Sequence, residues 1–286
     1  MTGFQVLIGL MLTICMVLRP FLYKPVAVFF NLNISSLFTS IWLVVGLMIT
    51  FPLLGHLFTD NVVDIIHSPY VWLSVIKGIC LWMAVKISQS INRESTSSST
   101  FYLFGALALS SLINNLCFNE GLKIYQLLCI VCLGIVGFCF FIYGDAKRLS
   151  RKNKIAFLLA VMFWSLFSVE DHLAISHIGW YPHLLISSVV MFLACFLNKV
   201  TINDIKTVFK NKNIIVAGIF YSATEFLIIY SMINVMPVSF ACLFMRMAIP
   251  IVMIVSAIRY KEQSIRNQLV LGLISLVLTL PLILIK

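Results

Sequence analysis

The centre of the chain, residues 124–154, reads IYQLLCIVCLGIVGFCFFIYG followed by DAKRLSRKNK. The first part, residues 124–144, has no charged side chain. As a helix rising about 1.5 Å per residue, it is long enough to cross the roughly 30 Å hydrocarbon core of a bilayer. The second part, residues 145–154, carries five basic residues in ten. An apolar run that ends in a basic loop is typical of a transmembrane helix leaving the membrane on its cytoplasmic side.

The rest of the chain repeats this alternation of apolar runs and short polar loops. Hydrophobic residues make up 61% of the 286 residues, charged residues make up 10%, and the mean hydropathy is +1.05. A soluble domain of this size needs more polar surface, and continuous apolar runs favour helices over a transmembrane barrel. The sequence therefore predicts an all-α membrane protein with ten transmembrane helices, at about residues 4–23, 35–55, 70–91, 97–117, 124–144, 155–173, 180–198, 213–234, 238–258 and 267–285.

The basic stretch divides the predicted helices into five and five. We predict a first five-helix unit over residues 1–145, a basic linker over 146–154 and a second five-helix unit over 155–286. The loops on one side of this arrangement contain fifteen Lys and Arg residues, with Arg19 counted among them, whereas those on the other side contain two. The positive-inside rule then places the basic loops in the cytoplasm and both termini outside.

The formal net charge of +10 is explained by these loops, which meet anionic lipid headgroups. It does not predict a nucleic-acid partner. The eight cysteines all fall within predicted helices and are interpreted as small buried side chains, so no metal, cofactor or disulfide is predicted. The loop segment Thr201–Lys212 alternates apolar and basic residues, and it is either a helix lying on the membrane surface or a plain solvated loop.

The two halves of the chain can be aligned at an offset of 142 residues. Residues 89–144 then run against residues 231–286 without a gap, and seven positions are identical. Five helices are an odd number, so the second unit enters the membrane in the opposite sense and the two units form an inverted-topology repeat, a common plan of secondary transporters. Four of the identities are polar: Asn92 with Asn234, Ser97 with Ser239, Glu120 with Glu262 and Gln126 with Gln268.

A Glu just before the last predicted helix of each half, with a Gln six residues later, resembles the EamA-type members of the drug/metabolite transporter superfamily. The stretches run from Glu120 to Gln126 and from Glu262 to Gln268, and the five-plus-five plan resembles that family over the whole chain. The chain departs from the family at residues 93–97, which read RESTS, and in a thin glycine pattern. The resemblance implies an exporter or exchanger of small metabolites, most often amino acids or similar compounds, and cytoplasmic termini, against the charge count.

Charged residues inside the apolar runs mark the candidate site. Each costs about 2.5–3.5 kcal/mol at the centre of a membrane unless it is paired or faces water. Glu225 and Arg246 fall near the middle of two predicted helices that a three-residue loop makes neighbours. They are interpreted either as a structural ion pair or as part of a substrate site.

Two predicted helices place an aromatic residue four positions before a charged one, on the same helical face. Trp82 precedes Lys86 and Tyr221 precedes Glu225, at places that the offset makes nearly equivalent. A zwitterion such as an amino acid needs both charges in one cavity, and aromatic walls suit its apolar part. For Lys86 the alternative is snorkelling to the interface. The predicted substrate-binding residues are Trp82, Lys86, Trp164, Tyr221, Glu225 and Arg246.

The sixth predicted helix ends with three ionisable residues, Glu170, Asp171 and His172. Such a group at the end of an apolar run can carry protons, because histidine titrates near neutrality, and Arg19 is a predicted partner. The alternative is a solvated loop that begins one turn early. Lys77 is predicted to snorkel to the interface, and His183 is predicted to belong to an interfacial aromatic belt.

These observations favour a secondary transporter that exports or exchanges a small metabolite, such as an amino acid or related zwitterion, by alternating access. A flippase of lipids or lipid-linked substrates and a membrane-embedded enzyme are the alternatives. No nucleophile motif accompanies the ionisable group, so no enzyme activity is predicted. A monomer suffices because both halves lie in one chain, and a homodimer is the alternative. Frequent Phe, Ile, Asn and Lys are typical of AT-rich bacterial genomes, so a bacterial inner membrane is the predicted location.

Overall fold

The computed structural model describes residues 3–54, 62–118, 123–198, 200–236, 238–261 and 265–284. In this part of the chain almost every residue is helical and no strand is present. The helices are α1 (Gly3–Phe29), α2 (Leu32–Leu54), α3 (Val62–His67), α4 (Val71–Glu94), α5 (Ser98–Phe118), α6 (Ile124–Tyr143), α7 (Arg151–Ile178), α8 (Trp180–Cys195), α9 (Ile202–Lys210), α10 (Lys212–Tyr230), α11 (Val238–Tyr260) and α12 (Ile265–Leu284).

Six helices in the described residues are long and apolar enough to cross a membrane. They are Gly3–Phe29, Leu32–Pro52, Val71–Glu94, Ser98–Cys117, Ile124–Tyr143 and Lys212–Tyr230. Two shorter apolar helices, Trp180–Cys195 and Arg266–Pro281, accompany them. The chain is therefore an all-helical, multi-pass membrane protein, as its composition predicts, while a total of ten membrane-spanning helices stays a prediction.

Helix α1 is longer than the sequence predicts, and this changes the place of Arg19. The helix runs to Phe29 instead of ending near residue 23. Arg19 was counted with the basic loops, but it lies well inside α1 and pairs with a carboxylate. The asymmetry between the two sides survives this correction at fourteen basic residues to two.

Helix α7 also exceeds its predicted range of 155–173. It begins at Arg151, where the Ser150 hydroxyl accepts a hydrogen bond from the Asn153 backbone N–H at 3.3 Å, and it continues to Ile178. The stretch 170–172 therefore lies on a helix rather than in the solvated loop that the sequence left open. Within this stretch, the Asp171 side chain contacts Lys77 on α4 and His183 on α8.

The segment Thr201–Lys212 contains an amphipathic helix, α9, rather than a plain loop. The Thr201 hydroxyl accepts from the Asp204 backbone N–H, and the Asp204 carboxylate accepts from the Thr201 N–H at 2.7 Å. This reciprocal capping box favours helix initiation. Val208 is fully buried against the core, and α9 packs on α2 and α10.

The long helices pack in two interlocking groups. In the first group α1 contacts α10 and α11, and α10 contacts α2; in the second, α7 contacts α4 and α5, and α4 contacts α8. Each group contains a close approach that requires a glycine. A Cβ on Gly78 would lie 2.6 Å from the Ser187 carbonyl oxygen in α8, and a Cβ on Gly218 would overlap the Trp42 ring in α2. Contacts of α2 with α8 and of α6 with α12 join the two groups.

Polar contacts hold α1 against α4 at one end of the bundle. This is the end that carries the basic loops, and we call it the basic end. The Asn92 side-chain amide donates to the Pro20 carbonyl oxygen at 3.0 Å, and the Lys24 ammonium donates to the Thr96 hydroxyl at 2.9 Å. Helices α1 and α4 are thus closed against each other at the basic end.

Candidate functional site

An ion pair between α1 and α10 lies inside the bundle. Arg19 Nη1 and Glu225 Oε1 are 2.9 Å apart, and the two side chains retain only 17% and 20% exposure. Both residues lie well inside their helices. Pairing offsets much of the free-energy cost of holding each charge in an apolar environment. The sequence predicts Arg246 as the partner of Glu225 and the acidic end of α7 as the partner of Arg19; among the described residues, Arg19 and Glu225 pair with each other.

Two tyrosines form a wall around this ion pair. The guanidinium carbon of Arg19 lies 4.7 Å from the ring centroid of Tyr221 and 5.7 Å from that of Tyr23, which is the range of a cation–π interaction. The two rings are 6.1 Å apart, and both side chains are buried. Tyr221 and Glu225, one turn apart on α10, therefore meet the same guanidinium group.

Lys86 and Trp82 meet on α4 as their spacing predicts. The Lys86 ammonium lies 4.9 Å from the Trp82 ring centroid, and the Lys86 side chain is half-buried. The Lys86 ammonium thus contacts an aromatic face, and both interpretations of this residue, substrate binding and snorkelling, stay predictions. Among the described contacts, none joins Lys86 to Glu225.

Trp164 on α7 lies close to Trp82. Both indoles pack on the same apolar cluster, formed around Leu81 and Phe167, and the Trp164 ring is 5.4 Å from the Phe167 ring in an edge-to-face arrangement. The indole nitrogen of Trp82 is buried and has no acceptor in the described structure, whereas Trp164 interacts with the buried Tyr102 hydroxyl. Buried N–H groups without a partner are rare, so the Trp82 indole is a candidate donor to a bound ligand.

Tyr102 connects Arg246 to the ion pair. Arg19 and Arg246 both interact electrostatically with Tyr102, which is buried on α5. The Tyr102 hydroxyl is 2.8 Å from the Ser88 hydroxyl on α4. The structure thus brings Arg246 toward the same region as Arg19 and Glu225, although not as the direct partner of Glu225.

A second buried polar cluster joins α4, α7 and α8. We call it the histidine cluster, and its members are Ser74, Lys77, Asp171 and His183. The Lys77 ammonium forms an ion pair with Asp171 Oδ1, and His183 Nε2 lies 2.8 Å from the same oxygen. His183 Nδ1 lies 2.7 Å from the Ser74 hydroxyl. The predictions for two members were wrong: Lys77 does not snorkel because it has a carboxylate partner, and His183 is buried inside the protein rather than placed in an interfacial belt.

Three residues, Glu170, Asp171 and His172, were predicted to carry protons. Of these, Asp171 belongs to the histidine cluster. Glu170 interacts electrostatically with Lys77 and Asp171, and its Oε2 is buried without a hydrogen-bond partner among the described residues. The side chain of His172 lies outside the described residues. His183, eleven residues further along, supplies the imidazole of the cluster instead.

The glutamines of the family-like motif occupy buried positions. The Gln126 side chain accepts from the Lys123 backbone N–H at 3.0 Å and donates to the Pro281 carbonyl oxygen at 3.2 Å. Gln268 is fully buried. The motif glutamates, Glu120 and Glu262, lie outside the described residues. No model of a known protein family matches the chain, and no curated protein sequence matches it either.

Sequence reasoning missed Tyr23, Tyr102 and His183 as members of these two regions. Tyr23 follows Arg19 by four residues on α1 and repeats the aromatic-plus-charge spacing used for α4 and α10. That signal was present in the sequence. For Tyr102 and His183 no comparable signal exists, because their roles depend on which helices pack together.

Proposed function

We propose that this chain is a secondary transporter that moves a small zwitterionic metabolite, such as an amino acid, by alternating access. The proposal includes ten transmembrane helices in two inverted repeats of five, as in the EamA-type transporters that the sequence resembles. One observation carries it: Arg19 and Glu225, opposite charges from the two halves of the chain, meet inside the bundle against Tyr23 and Tyr221. A scaffold has no need of such charges, whereas a substrate site does.

The helix bounds support the repeat. Shifted by 142 residues, α4, α5 and α6 fall on residues 213–236, 240–260 and 266–285. These ranges agree within two residues with α10 and its π-helical extension to Val235, with α11 and with α12. The short α3 falls on 204–209, within α9. The agreement therefore includes the short helix α3, which is not one of the long apolar helices.

Helix packing supports the repeat as well. The offset pairs α4 with α10 and α5 with α11. By their order in each half α1 corresponds to α7 and α2 to α8, although the shifted ranges, 145–171 and 174–196, begin six residues before those two helices. The contacts of α1 with α10 and α11 then correspond to those of α7 with α4 and α5, and the contact of α10 with α2 corresponds to that of α4 with α8. Two similar packing groups that face each other are what an inverted-repeat transporter moves to open its midplane site to either side in turn.

One contact departs from this correspondence in a way that alternating access explains. Helices α1 and α4 pack closely at the basic end, through Asn92 and Lys24. The corresponding helices α7 and α10 have no comparable contact in the described part of the chain. We interpret the structure as a conformation closed at the basic end. In the opposite conformation α7 and α10 would close together.

The residues around the ion pair suit both ends of a zwitterion. Glu225 can accept an ammonium group if the substrate displaces Arg19, and Arg19 is then free to bind the carboxylate. Lys86 and the unsatisfied indole N–H group of Trp82 add donors for a carboxylate from the other packing group. Substrate that bridges both groups would favour the transition between conformations.

The test is a substrate screen with the purified protein in liposomes. The liposomes are loaded with a labelled mixture of amino acids and metabolites, and solute movement is followed with and without a pH gradient. We expect the wild type to release a specific solute and Glu225→Gln to release none. Asp64→Asn, at an exposed carboxylate of α3, is the matched control and is expected to retain transport.

Two results of the liposome screen would contradict the proposal. Release that persists in Glu225→Gln contradicts the assignment of the ion pair to the substrate site. Absence of any release by a folded wild type contradicts the transporter of small metabolites. Scrambling of labelled lipids by that same sample would instead support the flippase alternative.

A further inference from the structure

Asp171 Oδ1 is shared by an ammonium group and an imidazole, and this sharing is the basis of the inference. Lys77 on α4 and His183 on α8 both contact that single oxygen. The Lys77 ammonium and His183 Nε2 are themselves only 3.4 Å apart. We propose that His183 is a proton-binding site, and that protonation of its imidazole displaces Lys77 from Asp171. The proposal names the coupling ion of the proposed transporter, and in that respect it rests on the proposed function.

The surroundings of His183 satisfy the imidazole in both protonation states. In the neutral form, Nε2–H donates to Asp171 and the Ser74 hydroxyl donates to Nδ1. After protonation, Nδ1–H donates to the Ser74 oxygen, which only requires the hydroxyl hydrogen to rotate. A hydronium ion gives its proton to Nδ1 and becomes water, so one proton is bound and no other bond changes. The imidazole therefore gains a proton without moving Ser74 or Asp171, the two groups that contact its ring nitrogens.

Protonation changes the balance between the two cations. With a neutral imidazole, Lys77 supplies the one positive charge that Asp171 requires. With an imidazolium, two positive charges 3.4 Å apart compete for one carboxylate oxygen inside the protein, where their repulsion is screened less than in water. Lys77 has the longer and more flexible side chain, so it is the partner that leaves.

Glu170 provides a second acceptor for the displaced Lys77. It already interacts electrostatically with Lys77, and its Oε2 is buried without a hydrogen-bond partner in the described structure. Helix α2, which packs on α4 and α8, and helix α5, which packs on α7, carry no charged residue. His177 on α7 is exposed and stacks on Tyr70. Helix α3, which packs on α4, carries His67 and an exposed carboxylate, Asp64. Glu170 is thus the partly buried carboxylate that already interacts with Lys77.

This exchange loosens one specific contact. In the present structure Lys77 ties α4 to α7 through Asp171, at the end of the bundle opposite the basic end. The Asp171 side chain retains 35% exposure, which gives protons a route from that end. Binding one proton therefore moves the tie between α4 and α7 from Asp171 to Glu170, while the Ser74–His183 contact keeps α4 on α8. This change lies at the end of the bundle where the proposed transporter must change its packing.

The first test reads proton binding directly and needs no substrate. The full-length protein, labelled at histidine nitrogens, is placed in lipid nanodiscs and its imidazole signals are followed between about pH 5 and 9. His183→Gln identifies the His183 signal. We expect that signal to titrate, and Lys77→Met to strengthen proton binding about tenfold, because it removes the competing charge. The control His177→Gln leaves the His183 titration unchanged.

The second test separates coupling from transport in liposomes. We expect His183→Gln to lose accumulation driven by a pH gradient and to retain solute exchange when both sides have the same pH. A His183 signal that does not titrate, or whose titration Lys77→Met leaves unchanged, overturns the proposal. Loss of equal-pH exchange in a folded His183→Gln protein overturns it too, since the cluster would then be structural. If the wild type transports nothing, the proposed function fails, and the histidine titration still decides on the proton site.

Discussion

The Arg19–Glu225 pair and the histidine cluster occupy comparable places in the two packing groups but differ in chemistry. The first joins α1 to α10, and the second joins α4 to α7, which are corresponding helix pairs under the proposed repeat. The first is walled by tyrosine rings, and none of the residues named for it has an imidazole. The second contains an imidazole. We therefore propose different tasks for the two regions: the first binds a zwitterion and the second binds a proton.

The sign of the charges is also exchanged between the two regions. The first helix of the first half contributes a cation, Arg19, whereas the corresponding helix α7 contributes an anion, Asp171. The helix α10 contributes Glu225 and its counterpart α4 contributes Lys77. Under the proposed repeat, the same pairs of helices are in contact in both halves, whereas the charged side chains at those contacts differ. Substitutions in each region test whether the first binds substrate and the second binds a proton.

The largest effect is expected at the ion pair itself. Glu225→Gln leaves the Arg19 guanidinium without its carboxylate inside the bundle, which destabilises a protein by about 3 kcal/mol. It also removes the acceptor for the substrate ammonium, so both gradient-driven transport and equal-pH exchange are expected to fall below a hundredth of wild type. Thermal unfolding and liposome exchange measure the two effects.

A charge-exchanged variant separates stability from function at that site. Arg19→Glu combined with Glu225→Arg restores an ion pair, so we expect most of the lost stability to return while transport stays absent. Transport that returns with stability would mean that the pair only holds the helices together. The proposed contrast between a substrate site and a proton site would then fail, because the ion pair would have only a structural role.

A smaller effect on stability is expected at Gly78, which follows Lys77 of the histidine cluster and lies where α4 packs on α8. Gly78→Ala places a methyl group 2.6 Å from the Ser187 carbonyl oxygen and from the Val190 Cβ, so α4 and α8 must separate. We expect a destabilisation of about 2 kcal/mol, seen as a lower unfolding temperature. Gly134→Ala is the matched control, because a Cβ there meets no atom within 4 Å. Equal unfolding temperatures for the two variants would contradict the close packing of α4 on α8.

The next effect tests whether Lys86 contacts substrate. Lys86→Met keeps the apolar stem over Trp82 and removes the ammonium. If Lys86 binds the substrate carboxylate, the KM of the transported solute rises about tenfold, which is about 1.4 kcal/mol, with the maximal rate unchanged. Lys152→Met, at an exposed lysine of α7, is the control. A KM that does not move would remove Lys86 from the site and leave the Arg19–Glu225 pair alone.

The sequence predicts what lies within one helix better than what lies between helices. The spacing of Trp82 with Lys86 and of Tyr221 with Glu225 places each pair on one face, because that spacing is fixed by the helical period. The partner of Glu225 is not predictable in this way. Arg246 is near in sequence, but Arg19 is the residue that packing brings to it. His183 was assigned to an interface because it lies between a Pro and an apolar run, and only the contact of α8 with α4 reveals its burial.

The smallest effect distinguishes the aromatic wall from the charges it surrounds. Tyr221→Phe keeps the ring that lies 4.7 Å from the Arg19 guanidinium carbon, so we expect nearly wild-type stability and transport. Tyr221→Leu removes the cation–π contact, worth about 1 kcal/mol, and should lower stability by that amount and substrate affinity about fivefold. If Phe is as damaging as Leu, the Tyr221 hydroxyl rather than the ring is what matters. Tyr221 would then act as a hydrogen-bonding group. The two regions would differ only in that the histidine cluster contains an imidazole.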